Sequence, residues 1–286
     1  MVVGAAAAFA TLTIFGKLAF ASGLGTEQLL AFRFVLGAAG MWGLAFLVGQ
    51  SPLRLKRDQV VGLLVLGAVL YAGQALTYFI ALRSLPASLC VLILYIYPSL
   101  VLISGRLFLH RPVSVWRALS LLASFTGVAL LVGGTRFQLA TELVFAFASP
   151  VLFTIFFFVG ERVMAAAPPV AATAVMLSGT AAVMCVVAAL SGQLTLPATG
   201  LQWGLGVAIV IMPTMVAISL FLAGLPRTGA GLAAVLSTVE PVVTLVLAFL
   251  VLGDRFTALQ AAGAALVLLA VVSVQAAQLR RPAPVE

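Results

Sequence analysis

The chain has 286 residues, 64% of them apolar and 8% charged, with a formal net charge of +8. A soluble domain carries roughly 25% charged residues, so this composition cannot cover a water-facing surface. The 15 Lys and Arg residues fall in short clusters between apolar runs and form no basic domain, which excludes a nucleic-acid partner and leaves a polytopic membrane protein in a lipid environment.

A helix needs about 20 mainly apolar residues to cross the hydrocarbon layer. Apolar runs between charge, Gly and Pro punctuation predict ten spans, near 3–22, 29–49, 60–82, 87–109, 113–133, 140–160, 170–190, 202–224, 229–252 and 257–277. The fold class is therefore an all-α integral membrane protein. The first span lacks the basic start of a signal peptide and reads as retained. Span one carries Lys17. Span two carries Arg33 near its outer edge, where a long cationic side chain snorkels to the headgroups by default, and Trp42 mid-way. Span three carries Tyr71, Gln74, Thr77 and Tyr78 at three- and four-residue spacing, one helical face. Span four carries Tyr95, Tyr97 and Pro98. Phe153, Phe156, Phe157 and Phe158 go round span six, which suits packing or lipid contact. Span nine carries Glu240 and Pro241 in an otherwise apolar run. Trp116 and Trp203 sit at span starts, as headgroup anchors do. Cys90 and Cys185 lie inside apolar runs and read as ordinary buried thiols.

Lys and Arg in short loops set orientation. With the N-terminus inside, Arg54, Lys56, Arg57, Arg106, Arg111, Arg117, Arg162, Arg227, Arg280 and Arg281 are cytoplasmic, and Arg83, Arg136 and Arg255 are outside. The bias predicts an inner-membrane protein with both termini cytoplasmic.

Sliding the sequence by half its length aligns 82–114, LRSLPASLCVLILYIYPSLVLISGRLFLHRPVS, with 225–257, LPRTGAGLAAVLSTVEPVVTLVLAFLVLGDRFT. Pro98 meets Pro241, Ala87 meets Ala230, Leu109 meets Leu252 and Ser114 meets Thr257, without a gap. The expected units are 1–138 and 139–286. Each holds five spans, an odd number, so the second enters the membrane inverted. Such pseudo-twofold repeats build many secondary transporters, with substrate near the midplane.

These two stretches resemble the paired EamA repeats of the drug/metabolite transporter superfamily. Glu240-Pro241 and the turn Leu252-Gly253-Asp254-Arg255-Phe256-Thr257 match the second copy of that pattern. The first copy departs from it, with Tyr97 in place of the Glu and His110-Arg111-Pro112 in place of Gly-Asp-Arg. The resemblance implies ten helices in two inverted five-helix halves and export of small metabolites. The aromatic character is most similar to amino-acid exporters that handle aromatic substrates.

A charge at mid-bilayer costs about 2.5–3.5 kcal/mol on insertion scales and normally faces a cavity or a partner. From the helical rise, Glu240 lies about 17 Å above the inner end of its span, with Tyr97 at a similar depth, Lys17 at about 21 Å and Gln74 at about 22 Å. The predicted substrate-binding set is thus Glu240, Tyr97, Gln74, Tyr78, Lys17, Tyr95 and Trp42. Lys17 either pairs with Glu240 or snorkels outward. A protonated Glu240 bonded to a neighbouring helix is the structural alternative to a binding role, and packing alone accounts for any single aromatic residue. Pro98 and Pro241 each remove a backbone hydrogen bond and are candidate gates or hinges, or else static kinks.

No Gly-rich phosphate loop, metal-ligand cluster or nucleophile–base spacing stands out, so neither a cofactor nor an enzymatic activity is expected. The partners expected are a small-molecule substrate and lipid, with protons as a candidate coupling ion. Two rivals remain, a same-fold carrier of nucleotide-linked or phosphorylated compounds, which needs several deep cations, and a scaffold without transport.

Overall fold

The computed structural model describes residues 1–109, 115–133, 141–165, 167–255 and 257–279, and every regular element among them is helical. His110, Arg111, Pro112, Ser114, Arg136, Phe256, Arg280 and Arg281 lie outside the described residues.

The helices follow the apolar runs. α1 is Val2–Ala21 and α2 is Thr26–Leu47. α3, Arg57–Val65, passes through a π-helical turn at Leu66–Tyr71 into α4, Ala72–Ser84. α5, Ala87–Leu94, and α6, Tyr97–Leu109, are two pieces of the fourth predicted span. α7 is Val115–Gly133, α8 Thr141–Met164 and α9 Pro169–Leu190. α10, Gly200–Val210, continues through a second π-helical turn, Ile211–Val216, into α11, Ala217–Ser237. α12, Val239–Leu247, runs on to Leu252, and α13 is Ala258–Leu279. Among the described residues, seven helical runs are long and apolar enough to cross a membrane. They coincide with predicted spans one to four and six to eight. Spans five, nine and ten fall on α7, on the end of α11 with α12, and on α13.

Between predicted spans eight and nine, helical hydrogen bonding continues, and α11 extends to Ser237. Its contacts nevertheless reverse direction. Leu220 faces Gly4 and Gly224 faces Val2, so the chain descends α1 toward its start. Thr244 Oγ1 then lies 3.5 Å from the Ala10 carbonyl. A straight helix would carry Ser237 about 20 Å beyond the start of α1, and the next seven residues recover only about 10 Å. The backbone therefore turns back between Gly224 and Ser237, where Pro226 cannot supply a helical N–H.

The packing exchanges equivalent parts of the two halves. α1 lies against α10, α11 and α12, while α8 lies against α4, α5 and α6; α2 packs along α9, and α7 along α13. Close approach sets one crossing. Gly67 faces the Met176 carbonyl and Gly179 the Leu64 carbonyl, positions that leave no room for a Cβ. Thr180 Oγ1 donates to the Gly67 carbonyl at 3.0 Å, giving that backbone group in the π-helical turn a partner within apolar surroundings. Gly253, at φ 71°, ends the helical run that follows α12, as a left-handed cap does. The next residue, Asp254, accepts from Ser88 N at 3.2 Å and Ser88 Oγ at 2.8 Å. A carboxylate of the second half thus satisfies the exposed N–H end of α5 in the first.

Candidate functional site

Two helix breaks frame the site. α5 stops at Leu94 and α6 begins at Tyr97; α11 stops at Ser237 and α12 begins at Val239. Each break lies just before a proline, Pro98 or Pro241, whose ring excludes the preceding turn and whose nitrogen donates nothing. Pro241 leaves the Ser237 carbonyl without its helical donor. Tyr95 Oη lies 3.5 Å from that carbonyl and donates to Glu240 Oε2 at 2.9 Å. Tyr95 itself sits in the first break, so the phenol exposed by one interruption holds the carboxylate presented by the other.

Glu240 opens into a small cavity of about 50 Å³, shared with Thr13, Arg33, Tyr71, Gln74 and Tyr78. Gln74 and Tyr78 are 8% and 4% exposed and come from α4. Gln74 Nε2 donates to Ser149 Oγ at 3.1 Å, which ties α4 to α8. The Tyr78 and Thr13 hydroxyls share a hydrogen bond of 2.7 Å, which ties α4 to α1. Gln74, Tyr78 and Glu240 therefore each have a partner on a different helix, as buried polar groups require.

A string of aromatic rings runs along one side. From Tyr95 it passes to Tyr97 at 6.1 Å, Phe153 at 4.7 Å and Phe156 at 5.8 Å. It continues to Tyr71 at 5.4 Å and Phe34 at 5.7 Å, where the Arg33 guanidinium sits 4.8 Å from the ring centre. These separations are those of ordinary edge-to-face and stacked pairs. The string joins the carboxylate at one end to a guanidinium at the other.

Three residues stand elsewhere than expected. Lys17 lies outside the cavity, with Cys90 and Asp254 as its charged or titratable neighbours rather than Glu240. Trp42 donates from Nε1 to Ser178 Oγ at 3.0 Å and packs beside Phe46, at the contact of α2 with α9. Arg33 does not snorkel. It is 4% exposed and turned into the cavity wall. The reason is the face it occupies, since Leu29, Leu30, Phe34, Gly37, Ala38 and Met41 are the buried side of α2. Small residues at that spacing mark a helix–helix face in a membrane, and this signal was present in the sequence. Phe153 and Phe156 pack against Tyr97, Tyr71 and each other, as the expected packing role of span six requires, whereas Phe157 is exposed. Thr13, Tyr71 and Ser149 complete the site, and Thr13 and Ser149 gave no periodic signal at all.

A larger hollow, about 400 Å³, lies between α2, α9 and Trp203, with no charged residue in its wall. It shares no lining residue with the cavity at Glu240.

A family model for EamA-like transporters matches the chain twice, over residues 1–133 and 140–275. The chain belongs to the EamA-like transporter family. It is an integral membrane protein of a family of small-solute transporters, not of enzymes. One solved crystal structure superposes on this EamA-like chain with a TM-score of 0.67 at 22% identity, covering 96% of this chain and 98% of the other. That likeness shows the shared fold. No curated protein matches.

Proposed function

We propose that this protein is a secondary exporter of small amphipathic metabolites, namely amino acids including aromatic ones, in the inner membrane with both termini cytoplasmic. Its two units, 1–138 and 139–286, form ten spans as inverted five-helix repeats. The two matches of the family model, the exchange of packing partners and the reversal of direction after Gly224 support that topology. So does the opposite course of the two broken spans. Ser88 meets Asp254 while Tyr95 meets Glu240, so the numbering rises along one as it falls along the other.

The observation that carries the functional reading is the single cavity in which Glu240, Gln74 and Tyr78 converge, with Tyr95 and Tyr97 beside it. Occupied small-molecule sites run to about 300–1,000 Å³, and this one holds about 50 Å³. A metabolite therefore fits only after the helices part. The breaks at Tyr95–Ile96 and Thr238 are the weakest points of the walls, and Pro98 and Pro241 prevent them from annealing. Access alternates as the halves rock about the site. The aromatic wall takes a flat apolar side chain and Glu240 the polar end. Protons remain the candidate coupling ion, through Glu240.

The test is flux into proteoliposomes of phenylalanine, tryptophan and smaller amino acids, with and without a pH gradient. Saturable movement of at least one aromatic member is expected. No flux of any member removes the amino-acid assignment, and equal rates with and without the gradient identify facilitation rather than coupling.

A further inference from the structure

Arg33 is buried to 4% exposure, and its Nε has no hydrogen-bond partner. Among the described residues no carboxylate lies within ion-pair distance. Its surroundings are the Phe34 ring at 4.8 Å, the Phe79 ring at 5.7 Å and the phenols of Tyr71 and Tyr78. Rings and phenols stabilise a cation only in part, and a guanidinium cannot shed its charge. With a neutral hydrogen-bond partner in Tyr71, no partner at Nε and no counter-charge, the buried cation is costly unless an anion arrives. Packing alone would be served better by an apolar residue, as Leu29, Leu30 and Met41 serve on the same face. The guanidinium also borders the same cavity as Glu240.

We infer that Arg33 is the anchor for the substrate's carboxylate, and that the transported class is zwitterions held between Arg33 and Glu240. A guanidinium offers parallel N–H donors that match the two oxygens of a carboxylate, so it fixes orientation as well as charge. Glu240 takes the ammonium group, and the aromatic lining Phe9, Tyr71, Tyr78 and Phe79 supplies the wall for the side chain. A carboxylate bound at Arg33 supplies the missing partner and excludes simple amines, which bring a second positive charge to the site. The inference rests on the amino-acid reading above, and the ligand series below separates the two.

The experiment measures inhibition of phenylalanine uptake in proteoliposomes by phenylalanine, by phenethylamine, which lacks the carboxylate, and by 3-phenylpropionate, which lacks the amine. Direct binding of the same compounds and of phenyl phosphate to detergent-solubilised protein runs alongside, on wild type, Arg33→Lys and Arg33→Gln. Loss of one charge-assisted contact predicts that phenethylamine binds at least tenfold more weakly than phenylalanine in wild type. Arg33→Gln raises KM for phenylalanine at least tenfold, Arg33→Lys restores part of it, and the weak binding of phenethylamine does not change. Equal inhibition by phenylalanine and phenethylamine in wild type overturns the inference while leaving amino-acid transport standing, and needs no variant to fold. So does unchanged KM in both variants. Should no amino acid move while phenylpropionate or phenyl phosphate binds in an Arg33-dependent way, the amino-acid reading falls and the anion anchor stands. Absence of both overturns both.

Discussion

The two broken helices share a backbone and differ in chemistry. Each is interrupted just ahead of a proline, at Tyr95–Ile96 before Pro98 and at Thr238 before Pro241. Yet the residue preceding the proline is Tyr97 in one and Glu240 in the other. Proline removes the backbone donor at both places, although Pro150 shows that α8 can run on through such a residue. The group that precedes it is free to diverge, and a phenol now lies in the aromatic wall beside the carboxylate it matches in sequence. The two breaks thus match in backbone, while a carboxylate stands at only one of them.

That contrast can be broken most severely at the carboxylate. Glu240→Gln removes the charged acceptor of the Tyr95 bond and, among the described residues, the only carboxylate of the cavity. Flux in proteoliposomes should fall at least tenfold, consistent with about 1.5–3 kcal/mol for a hydrogen bond to a charged group. Tyr97→Phe, at the equivalent position, should change flux less than threefold, because its ring contacts remain. Equal losses in the two variants would show that the halves share the chemistry evenly. If proton coupling runs through Glu240, the Gln variant should also lose any stimulation by a pH gradient, which parallel uptake at matched and mismatched pH measures.

The prolines test the mechanical side. Pro98→Ala and Pro241→Ala each allow the missing backbone bond to form, so flux should fall severalfold in both while thermal stability in detergent holds or rises. Unchanged flux would identify static kinks. Tyr95→Phe comes next, with stability lowered by about 1–2 kcal/mol as Glu240 loses its donor, read as a lower midpoint in a thermal unfolding assay. The smallest effects belong to residues outside the cavity. Trp42→Phe should cost about 1 kcal/mol by losing the Ser178 bond with KM unchanged. Lys17→Met should alter KM less than twofold, and a larger shift would place Lys17 in the site after all.

Three of the seven residues expected to bind substrate, Glu240, Gln74 and Tyr78, line the candidate cavity. Tyr71, Gln74 and Tyr78 declared their shared face by helical spacing, and Glu240 declared itself by its cost in lipid. Arg33 was misjudged, because a long cation near a span end can reach water or turn inward with equal ease. Only the neighbours of its helix face decide. Lys17 and Glu240 share a depth without sharing a cavity, since depth fixes one coordinate and leaves rotation about the helix axis open. Phe153 and Phe156 were indistinguishable from Phe157 and Phe158 for the same reason.

By itself the sequence determined that this chain lives in a membrane, that its halves are related, and that Pro98 and Pro241 at matching positions each deny a span one backbone hydrogen bond. Those outcomes follow from local quantities, namely apolar length, residue-by-residue correspondence and the missing N–H of proline. The tertiary structure alone decided which buried charges meet. It placed Arg33 and Glu240 on one cavity and Lys17 outside it, because the rotation and crossing of each helix are set by contacts such as Gly67 on Met176 and Asp254 on Ser88, formed between residues 109 and 166 positions apart.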